Sequence, residues 1–364
     1  MFIKRIGCFL IGIIFTLNLS AQDLKIDEPS NLKLNAYLEA YYLHDFNHAS
    51  QKSQPDFIYN FDRSNEPNIN LAFIKAAYAT DKFRANFALA DGTYMRANYA
   101  AEPHHLRNIY QANIGFKLSD EHKLWLDVGV LPSHIGFESA VGIENWTLTR
   151  SVLADNSPYF ETGASISYTS QNGQWYLSGL VLNGWQRIQR ADDNSTPSFG
   201  HQLTYKPNDR LVLNSSSFIG NEQSDQDRKM RYFHNFYAQY KLNSFWSVLF
   251  GLDLGAEQRV RGSQEYNFWY APVAIVKYQM TDQLSFAARA EYYRDRDGVI
   301  VKTNANDGFT VEGYSINVDY KLSDSMTLRS ELKSLNCSEA LCSKANTNNT
   351  QDNVTLTSSL AVSF

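Results

Sequence analysis

The sequence predicts an all-β protein, a transmembrane antiparallel β-barrel of about sixteen strands, with fourteen to eighteen also compatible with the pattern. Three observations predict it: segments that alternate apolar and polar residues, connections that alternate between short and long, and an N-terminal leader. The last segment, Asn353 to Phe364, alternates most clearly except at Ser358. A period of two is that of a strand. One apolar face and one small polar face, ending on an aromatic residue, favour a strand between lipid and water over a soluble sandwich strand.

The N-terminus has the features of a secretory leader. Lys4 and Arg5 precede an apolar run from Ile6 to Phe15, and small residues follow up to position 21. A transmembrane anchor would need about 20 apolar residues, and this run is shorter. We therefore predict a cleaved signal peptide over residues 1–21 and one barrel domain over residues 22–364.

The composition agrees with a barrel. Hydrophobic residues make up 43% of the chain and mean hydropathy is −0.39, because half of each barrel strand faces water. After the leader, no apolar window is long enough for a spanning helix, so only a closed barrel could cross a membrane. Removing the leader takes the formal net charge from −5 to −7, which argues against a nucleic-acid-binding protein.

The connections predict the barrel's orientation. Sixteen alternating segments, the first at Leu32–Leu43, are joined by seven short turns and eight long loops. The short turns contain Asn, Asp, Gly and Ser, as in Asn243-Ser244, which are the residues that tight turns require. In outer-membrane barrels, short turns face the periplasm and long loops face outside. The second segment alternates poorly around Lys75, and it makes the strand count uncertain by one pair.

The alternation also predicts which charges line the lumen. Leu284 and Phe286 point outward on the Gln283–Arg294 segment, so the alternate residues point inward. A charge on the lipid face would cost roughly 2–4 kcal/mol near the midplane. Such charges either hydrate the lumen and pair across strands, or they select ions; the sequence leaves both readings open. The predicted lumen-wall residues are Arg84, Arg289, Glu291, Arg329, Glu331 and Lys333.

A long segment interrupts the strands from Pro132 to Tyr159. It is too apolar for a solvated loop, and we expect this third long loop to fold into the lumen. Its charged residues would then narrow the pore and set a local field. Packing on the barrel rim or on a neighbouring subunit is the alternative. The predicted constriction residues are Glu138, Glu144, Arg150 and Asp155.

The remaining candidate sites are few. Cys337 and Cys342 are expected to form a disulfide in an oxidising compartment, because that segment has no His to complete a zinc site. His104, His105 and Glu102 could bind a metal, but a plain polar loop explains them better. Catalytic motifs such as G-x-S-x-G and H-E-x-x-H are absent from the sequence. We predict no enzyme activity, no cofactor and no metal site.

Three short segments of the sequence are distinctive. V-G-V-L-P-S-H-I-G-F-E-S, then N-W-T-L-T-R-S and S-P-Y-F-E-T-G, occur between Gly129 and Gly163. Together with the leader and the terminal Phe, they resemble the OmpL-like β-barrel porin family, the porin-2 group of Gram-negative outer membranes. The resemblance spans essentially the whole mature chain. It implies a passive, water-filled outer-membrane channel whose terminal strand is recognised by the barrel-assembly machinery.

We therefore expect an outer-membrane porin through which small hydrophilic solutes and ions diffuse. The alternative is a barrel that acts as a surface binder, adhesin or scaffold rather than a channel. Expected partners are outer-membrane lipid and lipopolysaccharide, the solutes themselves and the assembly machinery, with no nucleic acid. The sequence leaves the choice between a monomer and a homotrimer open, and it does not name the solute.

Overall fold

The computed structural model describes residues 31–47, 53–303, 305, 307–338, 342 and 352–364. The predicted signal peptide over residues 1–21 lies outside the described residues. No helix in the described part is both long enough and apolar enough to cross a membrane.

Within the described residues, sixteen antiparallel strands close into one barrel, in which neighbours along the chain pair and β1 pairs with β16. The predicted all-β architecture is confirmed. The strands are β1 Leu32–Asp45, β2 Pro67–Ala79, β3 Phe83–Asp91, β4 Ile109–Lys117, β5 Lys123–Pro132, β6 Phe160–Thr169, β7 Trp175–Leu182, β8 Ser198–Tyr205, β9 Leu211–Asn221, β10 Met230–Lys241, β11 Trp246–Gln258, β12 Tyr266–Gln279, β13 Leu284–Asp295, β14 Phe309–Lys321, β15 Met326–Cys337 and β16 Asp352–Ser363.

Side chains alternate between the two faces of the barrel wall. On β13, Phe286 is exposed while Arg289 and Glu291 are buried. Because exposed apolar surface of this extent is unfavourable in water, the outward face is suited to lipid. Examples of exposed outward side chains are Leu38, Ile74, Phe87, Ile166, Phe250, Ile316 and Leu360.

Aromatic side chains form a belt on the outward face at each end of the barrel. Near the short turns, the rings of Trp175 and Tyr205 stack with centroids 4.1 Å apart. Near the long loops, the rings of Tyr270 and Tyr292 lie 5.8 Å apart. Amphipathic rings at both ends match the two interfaces of a bilayer.

The irregular second segment has a local cause. Glu39 pairs with Leu71 but Ala40 pairs with Ile69, so the intervening Asn70 has no partner on β1. This β-bulge shifts the alternation by one residue on β2. The bulge lets Leu71 and Asn70 both be buried, which the simple period of two does not predict.

The connections follow the predicted pattern of tight turns and long loops. At one tight turn, the side-chain oxygen of Asn243 accepts hydrogen bonds from the N–H groups of Phe245 and Trp246 at 2.8 and 2.9 Å. Two long loops carry short helices, α1 over Thr93–Asn98 and α2 over Val152–Asp155. Cys337 and Cys342, at the end of β15 and in the loop beyond it, are joined by a disulfide.

Candidate pore

The third long loop, residues 133–159, binds the inner wall through its own backbone. The N–H groups of Leu148, Thr149 and Val152 donate hydrogen bonds to inward-facing side chains. Their acceptors are Asn317 Oδ1 at 3.0 Å, Glu331 Oε2 at 2.5 Å and Glu291 Oε2 at 2.6 Å. Three consecutive strands, β13 to β15, therefore hold this loop.

Arg289 is the central charge of that contact. Its guanidinium forms an ion pair with Glu331 at 3.0 Å and another with Glu291 at 3.3 Å. It also donates to the Thr149 carbonyl at 2.7 Å and to the Thr147 hydroxyl at 2.8 Å. The side chain is fully buried, so the charge is neutralised by the wall and by the loop together.

Two further cations of the wall bind loop carbonyls. Arg329 pairs bidentately with Asp319 at 2.7 and 2.9 Å, and it donates to the carbonyls of Gly142 and Asn145. Lys333 donates to the Arg150 carbonyl at 3.0 Å. Five of the six predicted lumen-wall residues, namely Arg289, Glu291, Arg329, Glu331 and Lys333, thus contact the loop or the charges that hold it.

The loop reaches across to β1 as well. At Gly142, an added Cβ would lie 2.2 Å from the Glu39 carboxylate of β1, so a larger residue here would require the Glu39 side chain to move. The helix α2 contacts β12 and β13 at the other side. The middle of the loop therefore lies along the wall from β12 through β16 to β1, while its root lies near β9 to β11, where the ring of Phe137 contacts that of Tyr237 on β10.

The loop is also bound internally by its own charges. The Arg150 guanidinium donates to the carbonyls of Ser139, Ala140 and Leu148 at 2.7–2.8 Å. The Glu138 carboxylate accepts hydrogen bonds from the N–H and the hydroxyl of Ser151, the residue that caps α2. Arg150 and Glu138 are buried, so both carry hydrogen bonds rather than face open water.

Burial also shifts the protonation of the loop acids. It raises the pKa of Asp155 to about 7, against the opposing charge of Lys333 and a 2.6 Å hydrogen bond from Asn60. Burial raises the pKa of Glu138 as well, although Arg289 opposes the shift. Glu144 differs from both, since its side chain is exposed. Of the four predicted constriction residues, Glu144 alone is solvent-exposed; a pore-lining role for the set stays a prediction.

An open cavity of about 540 Å³ lies along the other half of the wall, from β2 to β8. Arg84 borders it, paired with Asp127 at 2.5 Å and stacked over Trp125 at 4.4 Å. Lys75 also borders the cavity, and no ion pair of Lys75 occurs within the described residues. The Glu144 carboxylate is near enough to interact electrostatically with Lys75. An exposed acid of the loop therefore lies close to a cation that borders the cavity.

A second cavity, of about 470 Å³, lies at the long-loop end. Trp185, Arg187 and Lys302 border it, and Glu222 accepts a 2.7 Å hydrogen bond from the Trp185 N–H. Burial raises the pKa of Glu222, although Arg231 opposes it. The polar lining of both cavities gives water and small solutes a compatible surface.

Some residues of this site were not predicted from the sequence. His134, at the root of the loop, binds the Glu161 carboxylate at 2.6 Å and contacts the Ser217 carbonyl at 2.8 Å. Asn317 and Asp319 lie on β14 and alternate with Ile316, Val318 and Tyr320, so the alternation could have placed them on the inner wall. No signal in the sequence marks His134 as an anchor. Within the described part of the chain, no group of three or more His, Cys, Asp or Glu is placed to hold a metal.

A family model described as "Putative beta-barrel porin-2, OmpL-like" matches residues 31–364, essentially all of the barrel. The chain belongs to this family. The family confirms the resemblance seen in the sequence, and with it an outer-membrane porin barrel. Among curated protein sequences, none matches this chain.

Solved structures of outer-membrane proteins share the fold of this porin at low sequence identity. An anion-selective porin from Comamonas acidovorans superposes with a TM-score of 0.59 at 10% identity, covering 92% of this chain and 99% of that one. The outer membrane channel DcaP of Acinetobacter baumannii gives 0.59 at 12% identity, with 92% and 97% covered. OmpT of Vibrio cholerae gives 0.57 at 10% identity, with 93% and 100% covered.

Proposed function

We propose that this porin is a water-filled channel for passive diffusion of small hydrophilic solutes and ions across the outer membrane. The observation that carries the proposal is the division of the lumen. The third loop is bound to the wall from β12 to β1, while a polar cavity of about 540 Å³ remains open along β2 to β8. A channel needs both a polar lining and a space that the loop leaves free.

The charges of the loop have two different tasks in this proposal. Glu138 and Arg150 hold the loop in its folded shape through bonds within it, and Asp155 does so through Asn60; in this way they set the pore size. Glu144 is exposed and Lys75 borders the open cavity, and both act on passing ions directly. Because their charges are opposite, they produce a field across the passage rather than a strong preference for one sign of ion.

The relatives support a channel rather than an enzyme or a surface binder. One structural neighbour is named an anion-selective porin and another an outer membrane channel. We propose that this chain likewise has no catalytic activity and needs no cofactor. Its expected ligands are the permeating solutes, lipopolysaccharide and the barrel-assembly machinery, which would bind the C-terminal strand.

We also propose a homotrimer. OmpT of Vibrio cholerae, solved in a trimer form, superposes on this chain with a TM-score of 0.54 at 7% identity, with 92% of this chain and 99% of that one covered. Cross-linking of the purified protein followed by gel electrophoresis tests the assembly. A ladder that ends at one subunit would reject the trimer and leave the channel proposal standing.

Conductance in planar bilayers tests the channel itself. The folded mature protein should produce stepwise current increases in salt solution. Liposomes that contain it should admit small sugars and retain large polysaccharides. Folded protein that yields neither current steps nor sugar uptake would overturn the proposal.

A further inference from the structure

Four polar side chains lie on the lipid-facing side of the barrel, in the middle of β8, β9 and β10. They are His201, Ser215, Ser217 and His234, and we call them the polar outer patch. On their strands they alternate with inward residues, which are buried on β9 and β10, and they share a face with exposed Phe199, Ile219, Tyr232 and Phe236. Polar side chains at this depth need hydrogen-bond partners, because acyl chains supply none.

The side chains of the polar outer patch contact one another at hydrogen-bond distance, but not all of their hydrogen-bonding atoms have a partner. His201 Nδ1 lies 2.5 Å from the Ser217 hydroxyl, and His234 Nε2 lies 2.9 Å from the Ser215 hydroxyl. The two imidazole rings are 5.4 Å apart. Within the described residues, the second ring nitrogen of His234 has no hydrogen bond. Whichever tautomer is present, this nitrogen can still donate to or accept from an outside group.

The patch lies at one side of a recess of about 710 Å³ in the outer surface. Tyr232, Ala256 and Phe268 are paired neighbours on β10, β11 and β12, so a methyl group lies between two large rings. One step further from the long loops, His234 pairs with Leu254, and Leu254 with Tyr270. The result is a slot with aromatic walls, an apolar floor and a polar side.

The level of the patch within the bilayer favours one kind of occupant. His234 is two residues from Tyr232 of the aromatic belt, which is about 7 Å along a strand. Carbonyl and hydroxyl groups near the start of an acyl chain lie at such a level, just below the interface. The slot is on the long-loop half, which faces the lipopolysaccharide leaflet in an outer-membrane barrel.

We infer that the recess binds one 3-hydroxyacyl chain of lipopolysaccharide, with a chain hydroxyl or carbonyl oxygen hydrogen-bonded to the polar outer patch. A second barrel fits the slot poorly, because Tyr232 and Phe268 project on both sides of Ala256 and hold a flat wall away from the patch. A single hydrocarbon chain enters between the rings and buries apolar surface along Leu254. The inference does not depend on conduction through the lumen.

Native mass spectrometry of the folded barrel in detergent tests whether the recess binds an acyl chain of lipopolysaccharide. Hexa-acylated lipid A is the probe, and a phosphatidylethanolamine of equal chain length, which lacks the 3-hydroxyl group, is the comparison lipid. The wild-type barrel should retain one lipid A and bind it at least about tenfold more tightly than the phospholipid, as expected for a hydrogen bond made away from water. The double variant His201→Leu, His234→Leu should lose that preference.

A matched control lies on the opposite part of the wall. Ser330 and Ser358 are outward and hydrogen-bonded to each other at 2.8 Å, far from the recess, so Ser330→Leu with Ser358→Leu should leave lipid A retention unchanged. Ala256→Trp fills the slot without altering the patch, and should abolish retention even if the histidine variant fails to fold. The inference would be overturned if Ala256→Trp retained as much lipid A as the wild type, or if the wild type bound the two lipids equally. It would also be overturned if the variants lost a dimer peak rather than the lipid peak.

Discussion

Arg289 on β13 and Glu331 on β15 form a 3.0 Å ion pair that spans the intervening strand β14. The residue of β14 paired with Arg289 is Ser315, and its small side chain leaves room for the guanidinium to pass. Both charges are fully buried, and both also bind the third loop. The ion pair therefore joins β13 and β15 to each other and both strands to the third loop.

We expect Arg289→Met to release the loop. The substitution leaves Glu331 and Glu138 without their cation, and breaking a buried pair in this way costs about 3–5 kcal/mol. The free energy of unfolding in lipid vesicles should fall, and single-channel current should become noisier. Arg84→Met is the control, because Arg84 pairs with Asp127 away from the loop. Equal current noise in both variants would contradict the role given to Arg289.

Glu144 should influence ion preference and Glu138 should not. Glu144 is exposed, while the side chain of Glu138 is 3% exposed and bonded to Ser151. Glu144→Gln should shift the reversal potential in a salt gradient toward anions. Lys75→Gln should shift it toward cations, and Glu138→Gln should leave it near the wild-type value. A larger shift for Glu138→Gln than for Glu144→Gln would mean that the buried acid faces the passage.

Removal of residues 140–150 should enlarge the pore. The deletion removes the approach to Glu39 and the internal bonds of Arg150, so the loop can no longer lie against β1. Unit conductance should rise in planar bilayers. Heat-modifiable gel mobility shows whether the barrel still folds. A folded deletion variant with wild-type conductance would place the narrowest part of the passage elsewhere.

Arginine scanning should distinguish the two faces of β1. Leu38 is exposed on the outward face, so Leu38→Arg should reduce folding into bilayers by roughly 2–4 kcal/mol. Ala36→Arg, on the same face, should act in the same direction. Asn35→Arg, on the alternate face, should fold as well as wild type. The folding yield in lipid vesicles is the measurement, and equal yields for all three would show that the register is wrong.

Asp155 should make stability depend on pH. Its pKa is about 7 in the folded protein and near the ordinary value of Asp when unfolded, so the folded state holds the proton more tightly. Its contribution is complete at low pH and is lost as pH rises toward 7, by about 1.4 kcal/mol per unit at most. The raised pKa of Glu138 acts in the same direction. The charge of Lys333 opposes the shift of Asp155, and that of Arg289 opposes the shift of Glu138. Asp155→Asn should flatten the slope of unfolding free energy between pH 5 and 7, and an unchanged slope would assign it to other groups.

The barrel was predictable because its signal is local. A period of two over ten residues places every side chain, so the inward position of Arg289 and the outward position of Leu38 followed from their strands alone. The pattern failed near Asn70, where the bulge inserts one residue and changes the alternation, and the register shifts again between Ala88 and Leu89, opposite β4. A bulge depends on the pairing of two strands, so the sequence of one strand alone does not predict it.

The attachment of the third loop could not be predicted in the same way. Its hydrogen bonds join residues far apart in sequence, such as Thr149 with Glu331, and the sequence of neither segment indicates which residue will be its partner. The apolar character of the loop predicted that it needs cover, but not which half of the wall would provide it. The burial of Arg150 likewise results from carbonyls that become available only once the loop is folded.

The uneven attachment of the third loop makes the barrel mechanically uneven. From β12 to β1, buried charges join the wall to the middle of the loop; along β4 to β8 the open cavity borders the wall, and the loop binds it at its root, where His134 contacts Glu161. Breathing motions should therefore concentrate in the half beside the cavity, and amide hydrogens there should exchange faster than those of β13–β15. The passage for solutes is then bounded by the softer wall, and its width fluctuates with that wall even while the loop stays fixed.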